Sequence, residues 1–140
     1  MEVEIKRFHL AAQAFMQTME LSMQETIKES GMTRTQLLVL HLIKKHAPCK
    51  LAVIAEKMEA KPSAITVMMD RLENGGYVRR RHDTVDRRAI FVEITEEGEK
   101  VMQWMRQQKE KMIGVHLSKL TAEELHTITL ILEKLTVGED

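Results

Sequence analysis

The chain has 140 residues, enough for one domain with a real core and too few for two of ordinary size. With only six Gly and two Pro among many Leu, Ile, Met, Glu, Lys and Gln, its composition favours helices and excludes a disordered chain, while the single cysteine, Cys49, excludes an internal disulfide or a thiolate-rich metal site. The net charge of zero hides an uneven distribution: three bases and five acids in residues 1–30, twelve and seven in 31–94, six and nine in 95–140. Phosphate binding needs a locally positive surface, so the basic middle keeps a nucleic-acid partner open.

In chain order, Ile5, Phe8, Ala12, Phe15, Met19 and Met23 recur every three or four residues and predict a helix over 3–29, with Gly31 suited to a left-handed C-terminal cap. Thr33-Arg34-Thr35-Gln36 reads as a capping box that opens a helix to about Lys45, carrying Leu37, Leu40, Leu42 and Ile43; Pro48 separates it from the next. A short helix is expected over 51–58 through Leu51, Ile54, Ala55 and Met58. Pro62 then sits where a helix tolerates proline, and Ile65, Met68, Met69 and Leu72 form a stripe that ends at Gly75-Gly76. Two short helices joined by a few residues have the dimensions of a helix-turn-helix.

Residues 77–81 and 89–94 have β character and flank a polar stretch from His82 to Arg88, which predicts a two-stranded hairpin, or wing. Thr95 caps a helix to about Leu117 that is acidic at its start and has Val101, Trp104, Met105, Met112 and Val115 on one face. Thr121-Ala122-Glu123-Glu124 opens a last helix with Leu125, Ile128, Leu132 and Leu135. The expected architecture is mainly α (α+β): a single unit over 1–140 with a winged helix-turn-helix at 31–94. The helices of 1–30 and 95–140 form a dimerisation region, because their apolar stripes exceed what the centre can cover. No run of residues is apolar and long enough to span a membrane, and the acidic N-terminus is unlike a secretory signal. A cytoplasmic protein with no membrane partner is therefore expected.

With the apolar stripe of 62–74 turned inward, Ser63, Val67, Asp70 and Asn74 share the opposite face, and Thr66 and Arg71 lie beside it. Hydroxyls donate to or accept from base edges, and Val67 suits a thymine methyl. Asp70 near phosphates costs energy unless it accepts from a cytosine amino group or pairs with an Arg. In the wing, five bases and two acids fall within 77–92. Arg88 is the candidate for minor-groove insertion, Asp86 for holding its guanidinium through a forked pair, and Arg79, Arg81 and Arg87 for phosphate contacts. The bland readings remain beside these: a solvated helix face, and a hairpin whose charges deter edge pairing.

Residues 48–98 resemble the MarR (multiple antibiotic resistance regulator) family. The resemblance is carried by Leu51–Met58, Pro62–Thr66, Asp70–Arg80 and above all Asp86-Arg87-Arg88-Ala89-Ile90-Phe91-Val92-Glu93-Ile94-Thr95-Glu96-Glu97-Gly98. The last run looks like the family's Asp-x-Arg wing motif followed by its Leu-Thr-x-x-Gly junction, with Ile94 in place of Leu. The resemblance implies a homodimer with a recognition helix in the major groove of duplex DNA and a wing tip in the minor groove. It also implies a transcription regulator, generally a repressor, released by a small aromatic or phenolic effector, a metal ion or an oxidant. Lys61 departs from the family's common Ser or Thr cap, and Val67 from its frequent polar or basic residue.

The candidate DNA-binding residues are thus Lys61, Ser63, Thr66, Val67, Asp70, Arg71, Arg79, Arg81, Asp86, Arg87 and Arg88, on a pseudo-palindromic operator. The effector is expected near the junction of the first, second and fifth helices. No nucleophile motif or phosphate loop points to an enzyme, no cofactor is implied, and the six histidines lack a helical i, i+4 ligand pair, so no metal site is assigned. Two rivals stay open. One is a metal- or redox-responsive regulator of the same fold, with His41 or Cys49 as the sensing residue; the other is a winged-helix adaptor that does not bind DNA.

Overall fold

Helices begin where side chains satisfy their first amides. In the computed structural model, which describes residues 1–86 and 88–138, Thr33 and Thr121 each accept from the backbone N–H three residues on, and Gln36 and Glu124 return the bond to the cap's own N–H. Each such cap stabilises its helix by about 1 kcal/mol. The helices they open are α2 (Arg34–His46) and α6 (Ala122–Thr136); α1 (Glu2–Ser30) ends at Gly31, whose φ of 72° is the left-handed conformation that favours glycine.

Between α2 and α5 (Glu96–Leu117) lie α3 (Leu51–Lys57), α4 (Pro62–Asn74) and three strands: β1 (Cys49–Lys50), β2 (Val78–His82) and β3 (Ile90–Ile94). The predicted hairpin of β2 and β3 is present, but the sheet has a third member. Its order is β1-β3-β2, all antiparallel, with Cys49 opposite Val92 and Lys50 opposite Phe91. No helix among the described residues is long and apolar enough to cross a membrane.

The chain divides into two compact units, Gln24–Gln107 and Met1–Met23 with Gln108–Asp140. In the first, Val39, Leu40 and Ile43 of α2, Ile54 of α3, Met69 of α4 and Val92 of β3 have no exposed area, and Ile65, Leu72 and Val78 are almost as buried. Each such side chain is worth roughly 1.5–3 kcal/mol relative to exposure. The stripes predicted for α2, α3 and α4 meet there, and they fix the outward face of α4.

The same unit contains a lock between α4 and α5. The Thr95 hydroxyl donates to the Gly76 carbonyl at 2.5 Å and accepts from the Gly98 N–H at 3.2 Å, while the Thr95 N–H donates to the Tyr77 carbonyl. A Cβ at residue 98 would collide with that Tyr77 carbonyl, so the Thr-x-x-Gly spacing is what lets α5 start against the end of α4.

Candidate nucleic-acid interface

Helix α4 presents Lys61, Ser63, Thr66, Val67, Asp70, Arg71 and Asn74 to solvent, opposite the buried Ile65, Met69 and Leu72. Lys61 is the N-cap residue and makes no side-chain cap bond, leaving its ammonium group free of the helix start. The Thr66 hydroxyl donates back to the Pro62 carbonyl at 3.0 Å, which uses its proton and leaves the oxygen as an acceptor. Val67 is 51% exposed, a large apolar side chain on an otherwise polar face.

Alternation along β2 sorts the arginine run. Val78 is buried and Arg80 lies on the same side of the sheet, opposite Val92, whereas Arg79 and Arg81 are exposed on the other. Arg79 faces Glu93 across the strands with a loose 3.9 Å ion pair. The Arg81 guanidinium lies 5.6 Å from the centre of the Phe91 ring and Lys50 Nζ 5.9 Å from it, so two cations flank one aromatic ring. Lys50 was not singled out from sequence, because only the pairing of β1 with β3 brings it there.

Arg80 reaches back to α4. Its guanidinium donates to Asp70 Oδ1 at 2.5 Å and to both carboxylate oxygens of Glu73 at 3.3 Å, and its backbone N–H donates to Glu73 Oε2 at 2.9 Å. The side-chain bond from Arg80, followed by the backbone bond, holds the Glu73 carboxyl below its ordinary pKa; the Glu73 bond in turn raises that of Arg80. Of the two ways in which Asp70 was expected to escape phosphate repulsion, the structure contains the arginine pair.

At the hairpin tip the Arg88 backbone N–H donates to Asp86 Oδ1 at 3.0 Å and the Ala89 N–H to the Asp86 carbonyl. This corrects the expected forked pair: among the described residues, the Asp86 carboxylate closes the turn on the Arg88 backbone and not on its guanidinium. Short acidic side chains at turn positions commonly bond the backbone two residues on. Arg88 itself is exposed. Arg87 lies outside the described residues.

Arg88, Thr66, Lys50 and Glu56 border a cavity of about 500 Å³ between α3, the start of α4 and β3, walled by Leu51, Ala55, Ile65 and Ile90. A smaller hollow of about 240 Å³ lies among Glu29, Ser30, Glu97, Lys100, Val101 and Trp104. Cys49 is buried, and burial pushes its thiol pKa up, against the thiolate that oxidation chemistry requires. Among the described residues no group of three His, Cys, Asp or Glu side chains is placed to hold a metal ion, and His41 is exposed.

Comparison with known proteins agrees with this geometry. Residues 32–90 match the sequence profile of the MarR family. The chain is 40% identical over 126 residues to the HTH-type transcriptional repressor MdtR of Bacillus subtilis, covering 90% of this chain and 81% of that one. Among solved structures it superposes on the YusO protein of Bacillus subtilis with a TM-score of 0.87 at 36% identity, covering 98% and 97% of the two chains. The transcriptional regulator Tm0710 of Thermotoga maritima follows at 0.78 and 26%, covering 93% and 92%.

Proposed function

The chain belongs to the MarR family of transcription regulators, and from that premise we propose that it is a repressor that works as a homodimer on a pseudo-palindromic operator in the cytoplasm. The observation that carries the reading is the outward face of α4, where hydroxyls, Val67 and cations stand together on a rigid helix beside an arginine-bearing wing. In this reading Ser63, Thr66 and Val67 meet base edges in the major groove. Lys61, Arg71, Arg79 and Arg81 contact phosphates, as does Arg87, and Arg88 enters the minor groove. Asp86 shapes the turn that presents Arg88, and Asp70 is kept neutralised by Arg80.

Selection of bound sites from random duplex DNA tests the proposal. It should return half-sites about 10 bp apart related by a dyad, with affinity falling at a log–log salt slope of about −0.9 per neutralised phosphate. Selected sites without symmetry, or a flat salt dependence, would favour the adaptor.

The effector in this reading is a small aromatic or phenolic compound. The junction of α1 and α5 holds a hollow of about 240 Å³, under the range usual for ligand pockets, whereas the cavity beside α4 is about 500 Å³, with apolar walls and Lys50, Arg88, Glu56 and Glu59 in its lining. We therefore move the effector site to the wing cavity, where a ligand covers Arg88 and Thr66 directly. Crystals soaked with a phenolic acid should show density there, and density confined to the α1–α5 hollow would reverse the assignment.

A further inference from the structure

Three arginines in a row next to a helix-turn-helix invite one reading, that all three bind DNA backbone. The geometry separates the middle one. Arg80 is the least exposed of the charged groups in its cluster, at 24%, against 52% for Asp70 and 39% for Glu73. Every bond the structure gives it runs to those two acids of α4. Asp70 stands on the outward face of the helix, one turn from Val67 and Thr66. An uncompensated carboxylate at that place would face the phosphates of any duplex laid on α4.

We propose that Arg80 is a positioning residue which touches no phosphate: it straps β2 to α4 and cancels the charge of Asp70 on the surface that meets DNA. This rests on the reading of α4 as the recognition helix. It assigns Asp70 a role as well, since a carboxylate held by a guanidinium has fewer lone pairs for a cytosine amino group. Asp70 therefore anchors the strap and does not read a base. The forked guanidinium suits the task because it bonds two carboxylates from one side chain, which a single ammonium does with less geometric restraint.

The experiment measures binding of the full-length protein to its selected duplex site by fluorescence anisotropy, with thermal unfolding of each variant alongside. Arg80→Met should weaken binding on the order of tenfold, because Asp70 is left charged near the phosphates. Asp70→Asn alone should bind as tightly as the unaltered chain or somewhat more tightly, with the same sequence preference. The Arg80→Met, Asp70→Asn double variant should return to within about threefold of the unaltered chain, a non-additivity expected only of coupled groups. If Arg80→Met does not fold, Arg80→Gln with and without Asp70→Asn carries the same comparison, the single variant weakened and the double restored to within about threefold.

A double variant as weak as Arg80→Met would show that Arg80 itself contacts DNA, and overturn the proposal. So would a loss of specificity in Asp70→Asn, which would make Asp70 a base reader. Failure of the unaltered chain to bind any duplex would instead sink the functional reading, a result distinct from these.

Discussion

The two units of the chain bury their side chains very differently. All the buried residues of the described chain lie within Gln24–Gln107, while the unit of Met1–Met23 with Gln108–Asp140 has none. The second unit instead carries most of the large exposed hydrophobics, among them Ile5, Phe8 and Phe15 of α1 and Ile128, Leu132 and Leu135 of α6. Helix α6 opens on the Thr121 capping box and its apolar residues recur at helical spacing, so local signals are in order; what is missing is a cover for those residues. The winged unit completes its own core, whereas the terminal unit leaves its apolar stripes exposed in the single chain. A second copy of the chain is an economical cover for them, which is the physical basis for the proposed dimer.

The contrast is tested first where its effect is largest. Leu40 has no exposed area in the middle of the winged core. Leu40→Ala should cost about 2–5 kcal/mol of unfolding free energy in urea titrations, through lost transfer energy and the cavity left behind. A cost near that of an exposed leucine would mean the winged unit is not the self-sufficient half.

In the terminal unit the matching change acts on assembly. Leu132 is 53% exposed in the single chain, so Leu132→Glu should be nearly neutral for a monomer yet place a charge in the interface of a dimer. It should weaken association by roughly 2–4 kcal/mol and lower the sedimenting mass to that of one chain at micromolar concentration. If the unaltered protein already sediments as a monomer, the comparison fails and the exposed stripes need another explanation.

Much of the winged unit was legible in the sequence because its signals are local. Thr33, Pro62 and Gly31 mark helix ends by what their own side chains or backbones can do, and the 3.6-residue stripes of α2 and α4 name the core. What escaped depends on pairing between distant segments. Strand β1 has two residues and no pattern of its own; only Cys49 opposite Val92 defines it, and with it the place of Lys50. Likewise the alternation of Arg79, Arg80 and Arg81 was readable, but the pairing of Arg80 with Asp70 needed the register that sets Val78 and Val92 on the core side. The Asp86 carboxylate was assigned to a guanidinium when the backbone two residues on was nearer, a choice that residue types alone do not decide. The α5 stripe runs on into the terminal unit, where Val115 is 68% exposed like the apolar side chains of α1 and α6.

At the wing the expected effects are smaller and concern selectivity. Arg88→Ala should cost roughly 1–3 kcal/mol on the selected site and relax the preference for A·T pairs flanking the half-sites, since an inserted guanidinium gains most in a narrow minor groove. Arg87→Ala should weaken binding about equally on all sequences. Arg88→Ala should unfold at the temperature of the unaltered chain, because Arg88 is exposed and a hairpin tip adds little to the core. Binding profiles over a site library read the outcome, and a flanking preference altered by Arg87→Ala alone would exchange the two roles.

The smallest effect belongs to Glu73, inside the self-sufficient unit. Its carboxyl is held below the ordinary carboxylate range by the Arg80 side-chain bond and then by the Arg80 backbone N–H. A carboxyl with a lower pKa folded than unfolded adds stability that is fully present above the unfolded value, about 4, and is lost as pH falls through the folded one. Glu73 is 39% exposed, so solvent screening should keep the contribution at about 0.5 kcal/mol or less. Glu73→Gln should therefore be slightly less stable than the unaltered chain at neutral pH and equal to it once acid has protonated Glu73. Urea midpoints of the two proteins, measured from pH 7 downward, should converge below the ordinary carboxylate range. A constant offset across that interval would mean that Glu73 contributes shape and not charge, and that Arg80 draws its hold on α4 from Asp70 alone.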